Sequence, residues 1–138
     1  MTVEFVDTNV FLYAADAGMG LKFKAALELI ARLANTESGA ISTQVLIEFY
    51  NAATRKLQIP AEEAEATVRD LGMWTIHRPS HADIQSSIHL QRRYKLSWRD
   101  ALIVNSAMES GAAVLWSEDL KAGQKFGRLV VKNPFLRG

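Results

Sequence analysis

Val3-Glu4-Phe5-Val6-Asp7 is a short run of β-branched and aromatic residues that ends on a carboxylate, and Ala113-Val114-Leu115-Trp116 is a second apolar run, followed by Ser117-Glu118-Asp119. Both have the composition of strands buried in a parallel sheet, where helices cover the two faces and polar alternation is lost. Around them the pattern changes period. Leu21 to Leu33 carries Phe23, Leu27, Ile30 and Leu33 at helical spacing. The turn at residues 35–39 leads into Ala40-Ile41, after which Ser42 or Thr43 caps a helix running to about Leu57. Pro60 suits the first turn of another helix, Glu62, Glu63 and Glu65 complement its dipole, and Gly72 suits its end. Gly18-Met19-Gly20 reads as a plain turn, because the further glycine and the Lys-Ser/Thr of a phosphate-binding loop are missing. Trp74 to His77 is a strand candidate, Ser80 to Tyr94 and Trp98 to Ser110 are helices, and Leu129-Val130-Val131 is a last strand signal. Strands alternating with helices throughout predict an α/β fold, a parallel sheet covered on both faces with right-handed crossovers. No repeat or interdomain linker interrupts it, so residues 1–138 read as a single domain.

Composition narrows the function. The chain of 138 residues is 49% hydrophobic, enough for a real core. It has no cysteine, which excludes disulfides, thiolate metal sites and thiol nucleophiles and suits a reducing cytoplasm. Its first residues are not a basic leader followed by an apolar stretch, and no run of about 18 apolar residues occurs, so the expectation is a chain neither exported nor membrane-spanning. With 16 Lys and Arg against 15 Asp and Glu, the net charge of +1 does not mark a nucleic-acid binder.

Four carboxylates stand where folding alone has little use for them. Asp7 and Asp119 each come at or just past the end of a buried strand, the edge at which open α/β sheets bind ligands. Glu48 falls in the spacing Val45, Glu48, Phe49, Ala52, and Asp100 in the spacing Asp100, Ile103, Val104, Ala107, so each interrupts an apolar helix face. Plainer roles are open to each. Glu48 at the edge of its stripe pairs with Arg55 or Lys56, Asp100 closes a capping box from Ser97, Asp119 caps a short turn with Glu118 as a solvated neighbour, and Asp7 makes an Asx-turn with Asn9. Taken together, four carboxylates without a matching set of cations repel one another, and a bound divalent cation is the simplest thing that stabilises them. Without metal, neutralising Asp7 or Asp119 is then expected to leave the fold as stable or more stable.

Asp7-Thr8-Asn9, the segment Ser42 to Glu48, Trp98-Arg99-Asp100-Ala101-Leu102-Ile103 and Ser117-Glu118-Asp119 resemble, in order and spacing, the successive motifs of PIN-domain ribonucleases, in particular the VapC-type toxins of toxin–antitoxin pairs. The resemblance spans essentially the whole chain. It implies a three-layer α/β/α sandwich around a parallel sheet, with Mg²⁺ or Mn²⁺ held by Asp7, Glu48, Asp100 and Asp119. It also implies endonucleolytic cleavage of RNA, a homodimer and a cognate antitoxin, with Thr8, Asn9 and Ser117 supporting the acidic set through hydrogen bonds. The chemistry agrees, since these ions prefer carboxylate and water ligands and activate water against a phosphodiester.

Arg92, Arg93, Lys95 and Arg99 form a basic run before Asp100, read either as a solvated face or as a grip on RNA phosphates. His77, His81 and His89 read as surface or packing residues, because Pro79 breaks any helical pairing of the first two. Phe11, Tyr13, Trp98 and Trp116 read mostly as core rather than as base-stacking platforms. A haloacid-dehalogenase-like phosphatase also begins with an Asp after its first strand, but its second Asp would stand where this chain has Asn9. A binding module with an acidic pocket needs only a pair of acids and leaves Glu48 and Asp100 without a purpose.

Overall fold

The computed structural model describes residues 2–136. The chain runs through β1 (Glu4–Val6), α1 (Thr8–Ala14), α2 (Leu21–Asn35), β2 (Gly39–Ser42), α3 (Thr43–Arg55), α4 (Ala61–Leu71), β3 (Thr75–His77), α5 (His81–Tyr94), α6 (Trp98–Glu109), β4 (Val114–Trp116), β5 (Lys125–Phe126) and β6 (Leu129–Lys132). The sheet order is β3-β2-β1-β4-β6-β5. All neighbours are parallel except β5, which pairs antiparallel with β6 at the edge. The sheet is therefore mixed and mostly parallel, and the six helices flank it.

The topology follows from crossover handedness. The connections β1 to β2 and β2 to β3 step the same way along the sheet, so α1–α4 share one face; the return from β3 to β4 puts α5 and α6 on the other. Contacts agree, α1 packing on α2 and α3, α3 on α4, and α5 on α6. The strand order reverses between β1 and β4, whose carboxyl ends lead into Asp7 and Ser117. In open α/β sheets such a reversal leaves a crevice at the carboxyl edge.

Phe5, Ile41, Leu115 and Val131 from four adjacent strands are fully buried, and Val10, Leu33, Val45, Phe49, Ile103 and Val104 close over them from the helices. Three local features depart from the sequence reading. Residues 8–14 form a helix that had no separate signal, because Asp7 caps it by accepting from the Thr8 N–H at 2.7 Å and it begins directly on the strand end. The glycine turn contains a single 3₁₀ turn, Ala17–Met19, capped by the Asp16 side chain. Lys125–Phe126 is too short to show a period of two, and it becomes a strand only by pairing with β6. The buried stripe of α3 is Val45, Phe49 and Ala53, so Glu48 lies at its margin and is half-buried. Among the described residues no helix is long and apolar enough to cross a membrane.

Candidate active site

Each acidic residue of interest is placed by an element boundary. Asp7 ends β1, caps α1 and is fully buried. Glu48 stands in the middle of α3, while Asp100 sits in the first turn of α6, whose N-cap Ser97 accepts from the Asp100 N–H at 3.1 Å. Asp119 follows β4, on a turn where its N–H donates to Ser117 Oγ at 3.2 Å. The sheet reversal brings the four to one place at the carboxyl edge.

They do not converge on one another alone. The Arg99 guanidinium stands among them, 2.6 Å from Asp7 Oδ1, 2.7 Å from Glu48 Oε1, 3.1 Å from Asp100 Oδ1 and 3.8 Å from Asp119 Oδ2. The sequence reading placed Arg99 with Arg92, Arg93 and Lys95 in one basic run. In the structure those three are exposed at the end of α5, and Arg99 turns inward. The expected absence of a matching cation is corrected by this residue. One positive charge is nevertheless shared by four carboxylates, and three negative charges remain in excess.

Supporting hydrogen bonds fix the set. Ser117 Oγ donates to Asp7 Oδ2 at 2.8 Å, and Thr8 Oγ1 donates to Glu48 Oε1 at 2.7 Å. Gln44 Nε2 donates to Glu48 Oε2 at 3.1 Å and to the Arg99 carbonyl at 3.4 Å. Gln44 was missed in the sequence, although its position one helical turn before Glu48 is the i, i+4 spacing at which side chains meet. Asn9 takes a weaker part: among the described residues both polar atoms of its amide are buried with no partner at hydrogen-bonding distance, although the amide is near enough to Asp119 to favour its charged form. A buried amide without a close partner is costly, so its position calls for an explanation beyond packing.

The plainer roles are realised in part. Glu48 is paired, but with Arg99 rather than Arg55 or Lys56. Asp7 is a cap, through Thr8 rather than through an Asx-turn with Asn9. Only half of the capping box at Ser97 forms, because the Asp100 carboxylate is directed to Arg99. Glu118 is no solvated neighbour: Tyr13 Oη donates to it at 2.6 Å and Lys22 Nζ pairs with it at 2.6 Å, tying the Asp119 turn to α1 and α2. His77 is a packing residue, 2.8 Å from Ser106 Oγ and 3.2 Å from Asp83, while His81 and His89 are exposed. Phe11 is buried, Tyr13 and Trp116 are partly buried, and Trp98 is exposed.

Proton affinities follow these contacts. Burial pushes Glu48 up, but the hydrogen bonds from Arg99, Thr8 and Gln44 outweigh it and hold the carboxyl below its ordinary value. Burial and then repulsion from Asp7 raise Asp119, with Arg99 too far away to cancel them. Burial disfavours the charged Arg99, yet the bonds to Asp7 and Glu48 prevail and strengthen its hold on its proton. The donor set consists of hard oxygens with excess negative charge, which is what Mg²⁺ and Mn²⁺ bind. As the side chains stand, no three acidic or histidine residues among the described residues form a ready cage, and Arg99 lies between the carboxylates that would make one.

Known folds share this architecture. A chain of a toxin–antitoxin complex from Klebsiella pneumoniae is 22% identical, with 96% of this chain and 98% of that one covered and a TM-score of 0.70. For VapBC2 from Rickettsia felis, bound to a DNA fragment from its promoter, the values are 21%, 96%, 98% and 0.68. For VapC20 of Mycobacterium tuberculosis, described as a toxin cleaving the sarcin-ricin loop, they are 20%, 84%, 91% and 0.66. At these identities the likeness is one of fold. Comparison with curated protein sequences gives no match. The PIN domain family model matches residues 5–125, the span that carries Asp7, Glu48, Asp100 and Asp119 and the sheet that gathers them, so the chain belongs to the PIN domain family.

Proposed function

We propose that this chain is a metal-dependent endoribonuclease, the toxin of a VapC-type toxin–antitoxin pair, and that residues 1–138 act as one nuclease domain. The observation that carries the reading is the convergence of four carboxylates on a single guanidinium at the sheet reversal of a PIN domain. A purely structural set of ion pairs gains nothing from three uncompensated charges, whereas a site built for a divalent cation needs them. Asp7, Glu48, Asp100 and Asp119 are the residues to hold Mg²⁺ or Mn²⁺, with Asn9 beside them. When bound, the ion lowers the pKa of a water and neutralises charge on the phosphate. Thr8, Gln44 and Ser117 keep Glu48 and Asp7 oriented, and the exposed Arg92, Arg93 and Lys95 offer positive charge to the RNA backbone. The toxin–antitoxin assemblies among its structural neighbours support a protein antitoxin as partner; a homodimer as working unit is part of the same proposal, and the absence of cysteine suits a reducing cytoplasm. Asn9 in place of a second aspartate speaks against the phosphatase alternative, and the gathering of Glu48 and Asp100 speaks against a simple binding module.

The test is cleavage of a panel of structured RNAs by the purified chain, with and without Mn²⁺. Asp100→Asn is expected to lower the rate at least about a hundredfold, the scale of losing one preorganised charge-stabilising group. Cleavage that persists in EDTA, or in the variant, would overturn the metal-dependent reading.

A further inference from the structure

Lone-pair occupancy distinguishes the four carboxylates. A carboxylate oxygen offers about two acceptor sites. On Asp7, Oδ1 already takes the Thr8 N–H at 2.7 Å and Arg99 Nη2 at 2.6 Å, and Oδ2 takes Ser117 Oγ at 2.8 Å and Arg99 Nη1 at 3.4 Å. On Glu48, Oε1 takes Thr8 Oγ1 at 2.7 Å and Arg99 Nη2 at 2.7 Å, while Oε2 takes Gln44 Nε2 at 3.1 Å and Arg99 Nε at 3.1 Å. Both carboxylates are saturated, and half of each one's bonds belong to Arg99. The other donors are anchored: a backbone N–H at a helix start, the fully buried Ser117, and side chains on α1 and α3. Asp100 is different, with Oδ1 bonded to Arg99 and Oδ2 unbonded among the described residues; Asp119 is 3.8 Å from Arg99, beyond hydrogen-bonding distance, and only the nearby Asn9 amide eases its charge. The Arg99 side chain is one-third exposed, so its head can leave towards solvent.

We propose that Arg99 is a resident counter-cation that a divalent ion must displace from Asp7 and Glu48, so that Arg99 sets the metal affinity of the site. It is a positioning residue: in the metal-free chain it holds the carboxylates together against their own repulsion, and it yields the same lone pairs when the ion arrives. Asp119 and the unbonded oxygen of Asp100 would offer an ion lone pairs that Arg99 does not hold. For Asp7 and Glu48 to hold the ion as well, the guanidinium would have to withdraw, because each of their oxygens already has both acceptor sites filled and the other donors are anchored. This inference rests on reading the four carboxylates as the metal-holding set.

Calorimetric titration of the full chain with Mn²⁺ alone tests it, on the parent, Arg99→Gln, Arg99→Lys and Asp7→Asn. Arg99→Gln is expected to bind Mn²⁺ about ten- to a hundredfold more tightly than the parent, the worth of one or two charge-assisted hydrogen bonds no longer displaced. The metal-free Arg99→Gln chain melts at a lower temperature, and the rise in melting temperature on adding Mn²⁺ is larger than in the parent. Arg99→Lys, a point charge without the planar fork, falls between the two, and it carries the test if Arg99→Gln does not fold. A residue that only supported the fold would lower the melting temperature without tightening Mn²⁺ binding. Equal or weaker binding by both Arg99 variants, with Asp7→Asn binding less than the parent, overturns the counter-cation role and leaves the metal site standing. No binding by any of the four chains, or undiminished binding by Asp7→Asn, removes the metal site and the inference with it.

Discussion

The carboxyl edge of the sheet carries two knots of charged side chains, one past β3 and one between β1 and β4, and they are built on opposite terms. At the first, Asp83 accepts from the Ser80 N–H at 2.8 Å, from Ser80 Oγ at 3.0 Å and from Asn105 Nδ2 at 3.1 Å, and it faces His77 Nε2 at 3.2 Å. One carboxylate meets four partners, the capping box of α5 is complete, and the backbone bond from Ser80, followed by the Asn105 amide, holds the Asp83 pKa at about 2. At the second knot one guanidinium serves four carboxylates and stands too far from Asp119 to donate to it. Charge that is matched locally is a fastening. Charge gathered in excess, at the same edge of the same sheet, fits the proposed cation site.

The strongest way to test this contrast is to remove the fastening. Asp83→Ala strips the acceptor from the Ser80 N–H and from the Asn105 amide, and should lower the unfolding free energy by about 2 kcal/mol, as lost caps and orphaned buried donors do. RNA cleavage per folded molecule should not change. Chemical denaturation and an activity assay on the same sample check both halves, and a large loss of cleavage at full folding would merge the two knots into one site.

A smaller effect separates the members of the acidic cluster. In EDTA, Asp7→Asn should destabilise by roughly 1–2 kcal/mol, because an amide nitrogen placed at either oxygen position meets the donors of Thr8 and Arg99 or of Ser117 and Arg99. Asp119→Asn should stay within about 0.5 kcal/mol of the parent or exceed it, since Arg99 stands too far away to donate to its carboxylate and its repulsion is screened by solvent. Repulsion alone predicts that both substitutions are neutral or stabilising. The buried partners of Asp7 argue for the opposite sign at Asp7 and leave the expectation unchanged for Asp119. Thermal unfolding of the two variants side by side decides it; a stabilised Asp7→Asn would mean that repulsion outweighs the cap after all.

The smallest effect is in the pH dependence of stability. Asp83 is depressed from 3.8 to about 2, so its contribution is complete above 3.8 and disappears as the pH falls through about 2. Asp119 is raised, so the fold favours its protonated form; that contribution is complete below 3.8 and is lost as the pH rises through the elevated value. Denaturation curves across this range should show a flatter acid limb in Asp83→Asn and, in Asp119→Asn, the loss of a slight gain on mild acidification. Identical limbs in parent and Asp83→Asn would remove the difference between the two knots.

Much of the fold was legible because its signals are local. Apolar runs at residues 3–6 and 113–116, helical spacing in 21–33 and the caps at Ser42 and Ser97 each depend on residues a few positions apart. The strand α1 grows from was visible, but the helix was not, because Asp7 serves at once as strand end and helix cap. Strand β5 has two residues and exists only through its neighbour.

By itself the sequence determined the alternation that builds the sheet and put carboxylates at the ends of its strands, since periodicity and strand termination are written into neighbouring side chains. Only the tertiary structure decided which charges meet. Arg99 is 92 residues from Asp7 and 51 from Glu48, and Tyr13 is 105 from Glu118. Contacts over such separations follow from the crossing of β1 beside β4 and the packing of helices on the sheet. No local pattern marks that Arg99 turns inward while Arg92, Arg93 and Lys95 face the solvent: the excess acid that draws it exists only once the strand ends and the helices α3 and α6 have been brought together.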